Sequence, residues 1–500
     1  MVKEFKYKID EFYNLPNDLL FKEKYEQFYT PKSVAEYMAN MFNKFKGKSI
    51  KILDPACGAG ILSIAIILNL INTKNDLDEI NITLYEIDSN LVSNINNSLK
   101  RIKEVCDDKN INLIFNIINK DFIDEQVRLI KESNKEEFDY IIMNPPYKKM
   151  RNNSRHKKML KDIGIDVNNY YSGFVSISEQ LLKNKGELVA ITPRSFCNGV
   201  HFLNFREQIT SNLYFDKIHL FESRNEVFES DNILQEIMIY HCVKMKTRNS
   251  LTVKITHSSN SKFLNIYTRN IKYKDFIYEG DKNYIIHILK SKDDKETMKK
   301  MKNIKCTLQE IGIEVSTGPV VDFRESQDYL SKDYIEGSIP LIYPENIKAC
   351  EFTWPISEGN RNNYIFIDNK NTSRMRPNGN YVIIKRKTSK EDKKRIIACV
   401  YPKELMNFNM VGFENRLNYY HINKKGIDRE ISEGLSIYLN STFVDSYFRT
   451  FSGSTQVNVS DLRKIRYPSK EQLKKIAKYG ENIELSQKNI DNIINEVLFN

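Results

Sequence analysis

Residues 49–71 read Ser49-Ile-Lys-Ile-Leu-Asp54-Pro-Ala-Cys57-Gly58-Ala-Gly60-Ile-Leu-Ser-Ile-Ala-Ile-Ile-Leu-Asn-Leu-Ile71. A β-rich run ends on an acid, a turn with two glycines follows, and a nearly unbroken apolar run closes the stretch. Branched side chains suit a buried pleated surface, and glycine permits the backbone conformations of a tight turn. The prediction is strand, glycine loop and buried helix, the opening of a parallel α/β sheet. Such a loop lets the backbone approach a nucleotide-like ligand, although ordinary strand-to-helix turns use the same residues.

Outward from this unit, β-rich runs recur at Ile80 to Asp88, Leu113 to Asp121, Phe138 to Asn144 and Gly186 to Thr192, separated by helical stretches. Phe215 to Phe221 and Ile233 to Cys242 lie close enough to pair as a hairpin, giving seven strands that end near residue 245. From Lys244 to Lys262 the chain is polar and basic without clear periodicity, so the domains are drawn as 1–245 and 246–500. Helical patterns follow around Lys390 to Val400, Gly434 to Arg449 and Lys470 to the end.

The ends of these runs carry the chemistry. Tyr85-Glu86-Ile87-Asp88 presents an acid able to accept from both hydroxyls of a ribose, and Asp121-Phe122 an acceptor for an adenine amine beside an apolar face. Taken singly, each acid serves equally well as a helix cap or turn residue. Three acids, Asp54 included, at successive strand ends around one crevice fit the adenosine half of a cofactor. The fourth run continues into Asn144-Pro145-Pro146-Tyr147. Two prolines freeze the backbone and withhold amide protons, leaving the Pro145 carbonyl and the Asn144 side-chain oxygen to accept from an incoming NH₂ group. The amine lone pair then faces an electrophile, and positioning with electrostatics replaces a strong base. Tyr147 offers a ring on which a flat substrate stacks.

Charge is unevenly placed. Residues 1–250 carry 35 basic and 34 acidic side chains and residues 251–500 carry 41 and 31, so nearly all the net +11 lies in the second half. That suits a catalytic domain joined to one that meets a polyanion, and equally a lysine-rich solvated surface. The seven cysteines form no CxxC pair and the seven histidines show no ligand spacing, so neither disulfides nor a metal is expected, and a reducing cytoplasmic compartment is. The N-terminus lacks an apolar signal core and the longest apolar run is too short to span a bilayer, so no membrane partner is expected.

At these motifs the chain resembles the gamma class of amino-methylating, N6-adenine DNA methyltransferases with an Eco57I-like methylase domain, in which cofactor motifs precede NPPY and recognition is C-terminal. The resemblance implies an α/β fold: a Rossmann-like class I methyltransferase sheet of seven strands, dependent on S-adenosylmethionine, plus a C-terminal α+β target-recognition domain. Phe28-Tyr29-Thr30-Pro31 resembles the family's N-terminal cofactor motif and implies that Tyr29 and Thr30 close over the methionine end. By the same likeness Asp54, Ala56 and Gly58, in the loop with Cys57 and Gly60, line the methionine and ribose. Glu86, with Ile87 beside it, then holds the ribose, Asp121 and Phe122 hold the adenine, and Phe174 covers its far face. Asn225 to Asn232 resembles the motif whose aromatic stacks on the extruded base, which makes Phe228 a second clamp opposite Tyr147, although an aromatic at a strand start also belongs in a core. Extrusion is required because N6 of adenine is paired and stacked inside duplex DNA.

In the second half, Lys385-Arg386-Lys387-Thr-Ser-Lys-Glu391, Val411 to Asn415, Leu439 to Thr442 and Ser454 to Arg463 resemble the recognition domains of PstI/BsuBI-type modification enzymes. This implies a type II restriction-modification enzyme, double-stranded DNA as partner and a cognate restriction endonuclease encoded nearby. Gln456, Asn458 and Arg463 carry donors and acceptors suited to base edges, or brace the fold. Lys148, Lys149 and Arg151, directly after the catalytic turn, grip phosphates or form a solvated loop. Arg416 and Val459 depart from the family pattern, so the target site is not carried over. The same turn also serves RNA adenine and protein glutamine methyltransferases. An N4-cytosine enzyme usually has Ser in place of Asn144, and a non-catalytic DNA-specificity protein has no need of a filled cofactor crevice. A fused nuclease is not expected, since the methylase motifs begin by residue 28 and no nuclease carboxylate cluster is evident downstream.

Overall fold

Ser49–Asp54 forms strand β1, whose residues Ile50, Ile52 and Leu53 are fully buried, and the apolar run after the glycine loop becomes helix α2, Ile61–Thr73. The computed structural model describes residues 7–13, 29–43, 45–221, 236–245, 251–263, 265–357, 361–388, 392–405, 407–452 and 456–500. It divides into two compact units, Met1–Lys290 and Ser291–Asn500.

In the first unit, α1 (Lys32–Met41) precedes β1 and α2. β2 (Glu79–Tyr85), α3 (Ser89–Asp107), β3 (Asn112–Ile118), α4 (Phe122–Lys131) and β4 (Phe138–Met143) follow. Next come α5 (Arg155–Asp162), α6 (Tyr170–Leu181), β5 (Leu182–Pro193), α7 (Leu203–Asn212), β6 (Leu213–Phe221) and β7 (Ile237–Lys244). The sheet order is β3-β2-β1-β4-β5-β7-β6, extended by β8 (Thr252–Ser258) and β9 (Tyr267–Lys272). β1 to β5 pair in parallel, and β7 inserts antiparallel between β5 and β6. Helix α2 packs on both α1 and α3, and α4 packs on α5 and α6. Central strands are buried on both faces, as a parallel sheet covered by two helical layers requires.

The sheet therefore has nine strands among the described residues, two more than the seven expected. β8 pairs parallel with β6 and antiparallel with β9, and its Val253 and Ile255 point inward at 0% and 1% exposure. Only two apolar residues mark this alternation, which is why a segment that reads as polar linker is a strand. The units divide at 290/291, so the tract after residue 245 assigned to the second domain completes the first unit's sheet.

The second unit combines a four-stranded sheet, ordered Glu314–Thr317, Leu417–His421, Tyr381–Lys385 and Ala398–Tyr401, with a five-stranded one and a set of helices. The helix expected over Lys390 to Val400 is absent from its described part: Ala398–Tyr401 is a strand paired with Tyr381–Lys385. The Asp445 carboxylate accepts from the N–H groups of Arg395 and Ile396, and the Asn440 side-chain oxygen from that of Ala398. Side chains thus satisfy backbone donors that a helix would have satisfied internally. The pattern from Gly434 to Arg449 splits into Arg429–Leu439 and Thr442–Phe451, with Ser441 capping the second. The terminal pattern likewise splits into Lys470–Gly480 and Gln487–Leu498.

Candidate active site

β1 has β2 on one side and β4 on the other, so the chain reverses direction across the sheet at this point. In open α/β sheets a crevice forms there beyond the carboxyl ends of the strands. A cavity of about 350 Å³ occupies this position, within the range of about 300–1,000 Å³ usual for small-molecule sites. Its lining includes residues from the ends of β1 to β4, from the segment before α1 and from α6.

After β1 the chain turns through Gly58 (φ 55°) and Gly60 (φ 85°), left-handed conformations that glycine adopts without strain. A Cβ on Gly58 would meet no protein atom within 4 Å, so the missing side chain leaves open space at the cavity wall. Ala56 and Cys57 also line the cavity, whereas Gly60 does not and instead stands at the N-cap of α2. Asp54 departs from its expected place on the wall. It is fully buried and turned into the loop, its carboxylate accepting from Ser63 Oγ (2.7 Å) and the Ala56 N–H (3.4 Å). Burial pushes it up to about 7.

Glu86 does face the cavity. Its two oxygens accept from the N–H groups of Gly58 and Asp88, both at 2.8 Å, which ties the end of β2 to the glycine loop. Burial, countered by these bonds, pushes this carboxyl to about 7. Asp121 caps α4 by accepting from the Asp124 N–H at 3.0 Å and still lines the cavity. Phe122 and Phe174 meet with ring centroids 5.0 Å apart, and Ile87, 49% exposed, lies at the same wall.

The β4 turn brings Asn144, Pro145 and Pro146 to the cavity. Asn144 Nδ2 donates to Thr30 Oγ1 at 3.1 Å, and Asn144 Oδ1 accepts from the Tyr147 hydroxyl at 2.9 Å. Tyr147 itself is 8% exposed and outside the cavity lining, and burial raises its hydroxyl pKa. Its ring is packed into the protein, not presented as an open stacking face, because the hydroxyl reaches inward to Asn144 and the Ile191 carbonyl. Tyr29 and Thr30 line the cavity as expected, while Phe28 and Phe228 lie outside the described residues.

Sequence reading missed Tyr13, His156 and Tyr170 in the lining. His156 Nδ1 is 3.0 Å from the Tyr170 hydroxyl, and its Nε2 is 3.6 Å from Asp121 and 3.3 Å from Asp124. Donor atoms of Asp121, Asp124 and His156 lie within 4.8 Å of one another, a grouping that no local spacing reveals. Arg155 pairs with Asp124 at 3.0 Å. Lys148 lines the cavity and is exposed, as are Lys149 and Arg151.

In the second unit Lys387 and Gln456, both exposed, form an isolated β-bridge, and the Val457 N–H donates to the Arg386 carbonyl. Two segments singled out separately thus meet, with Lys385 at the end of the adjoining strand. Arg386 donates to the Asn415 carbonyl, Asn458 to Asp461 and Arg463 to the Val315 carbonyl. These three side chains therefore each make a hydrogen bond within the second unit.

The Eco57I restriction-modification methylase family matches residues 61–228. The type II methyltransferase M.PstI of Providencia stuartii is 38% identical across 98% of this chain and 96% of its own length. M.BsuBI of Bacillus subtilis, also a type II methyltransferase, is 38% identical across 96% of each. Among solved structures, the cryo-EM structure of a DrdV–DNA complex shares the fold with a TM-score of 0.51, at 14% identity over 91% of this chain and 57% of that one. Sheet order, glycine loop and β4 turn define a class I methyltransferase. Within that class the chain belongs to the type II restriction-modification methyltransferases, the modification enzymes of such systems.

Proposed function

We propose that the protein transfers a methyl group from S-adenosylmethionine to N6 of an adenine extruded from duplex DNA. The observation that carries this reading is the Asn144 carboxamide, held on both sides at the edge of a cavity whose other residues suit an adenosine. The cofactor fits these residues: Gly58 leaves room at the wall, Glu86 would offer its carboxylate to ribose hydroxyls, and Asp121 would accept from the adenine amine, with Phe122, Phe174 and Ile87 supplying apolar surface. When bound, S-adenosylmethionine supplies an electrophilic methyl group on a sulfonium. Asn144 Oδ1 and the Pro145 carbonyl would accept from the target amine and fix its nitrogen for in-line attack, and the proton that the methylated amine loses would pass by way of these oxygens to solvent.

The second unit is proposed to read the DNA target, because the likeness to M.PstI and M.BsuBI runs through it. Lys148, Lys149 and Arg151 meet phosphates beside the extruded base, and Lys385, Arg386, Lys387, Gln456, Asn458 and Arg463 belong to the DNA-facing surface. Phe228 is proposed as a clamp on the base. A cognate endonuclease is the expected companion of such a modification enzyme.

Asn144→Ala tests the reading. Methyl transfer should fall by at least about 100-fold, with cofactor and DNA dissociation constants nearly unchanged, because the contact acts on the transition state. Retained activity in that variant overturns the mechanism.

A further inference from the structure

We propose that Thr30 is a positioning residue that selects the productive orientation of the Asn144 carboxamide. The proposal rests on Asn144 receiving the target amine. Thr30 is 5% exposed and stands just before α1, and its Oγ1 accepts from Asn144 Nδ2 at 3.1 Å across 114 residues of chain. A carboxamide presents nearly isosteric oxygen and NH₂ ends, and its terminal torsion is broad and roughly two-fold. Only the oxygen serves the reaction: a turned-over amide would place two N–H donors against an amine that must itself donate.

Thr30 anchors the Nδ2 end of the amide in the observed orientation. With its hydroxyl accepting from Nδ2 and the Tyr147 hydroxyl donating to Oδ1, both ends of the carboxamide are matched. Donation from Nδ2 also draws electron density toward Oδ1 and strengthens it as an acceptor, the cooperativity expected of linked hydrogen bonds. Tyr29 and Thr30 line the cavity, so the segment placed to cover the cofactor is also the one that sets the catalytic amide. The catalytic turn is complete only when this segment is in position.

The test compares full-length Thr30→Val, Thr30→Ala and Thr30→Ser in single-turnover methylation of duplex DNA at saturating S-adenosylmethionine, with dissociation constants for both ligands measured separately. The hydroxyl is absent from the first two variants and present in the third. The expected result, at saturating cofactor, is a transfer rate about 10- to 100-fold lower in the Val and Ala variants, with the DNA dissociation constant within about threefold of the unsubstituted protein, and recovery of the rate to within about threefold by Ser. A loss confined to cofactor affinity, equal rates in the Ser and Ala variants, or unchanged rates throughout overturns the proposal. Failure of the underlying reading shows separately, as methyl transfer by the Asn144→Ala variant.

Discussion

Glu86 accepts from two backbone N–H groups and still titrates near 7, because burial outweighs them. A carboxyl raised from 4.5 to about 7 binds its proton more readily in the folded than in the unfolded state. Its contribution to stability is therefore greatest at low pH and declines as pH rises from about 4.5 to about 7, and Asp54 shifts in the same direction. The melting temperature of the ligand-free protein should fall across that window. Cofactor affinity should run the opposite way, since ribose hydroxyls donate best to an ionised carboxylate. Calorimetric titration should show binding weakening by up to about tenfold per unit as pH drops below about 7, and Glu86→Gln should flatten the dependence. Glu86, Asp121 and Asn144 were legible in the sequence because a strand end fixes where the next residues emerge. The inward turns of Asp54 and Tyr147 were not, because their partners, Ser63 and Asn144, determine direction only once the loops have closed.

The helices Arg429–Leu439 and Lys470–Gly480 pack on each other through Gly434, where an added Cβ would come within 1.9 Å of the Leu473 carbonyl oxygen. That atom is backbone and cannot rotate away. Gly434→Ala should destabilise the second unit by about 3 kcal/mol, seen in denaturant unfolding, and should weaken DNA binding while leaving cofactor affinity intact. Elements whose signal is local were read from sequence: β1 falls on its expected residues, and α2 coincides with the apolar run after Gly60. Strand β8 and the strand Ala398–Tyr401 depend on partners far along the chain, β6 in one case and Tyr381–Lys385 in the other. Their identity is set by pairing and by side chains such as Asp445, which local periodicity does not contain.

Over the whole molecule, charge and sequence kinship agree. Residues 251–500 hold ten more basic than acidic side chains, and the likeness to M.PstI spans nearly the full chain. Phosphate contacts release counterions, so DNA affinity should fall linearly on logarithmic axes with salt, by a slope of about 0.9 per contact. Replacing Lys148, Lys149 and Arg151 together with Ala should lower that slope by up to about 3 if all three meet phosphates, and an unchanged slope would assign them to a solvated loop. Methylation of adenine N6 in DNA by this site is the narrower proposal. It is tested most directly by mass spectrometry of nucleosides from duplex DNA incubated with the protein and methyl-labelled S-adenosylmethionine. Labelled N6-methyldeoxyadenosine that disappears with Asn144→Ala is the expected result. Label in N4-methyldeoxycytidine, or none in DNA while RNA or protein amides accept it, would overturn the proposed reaction.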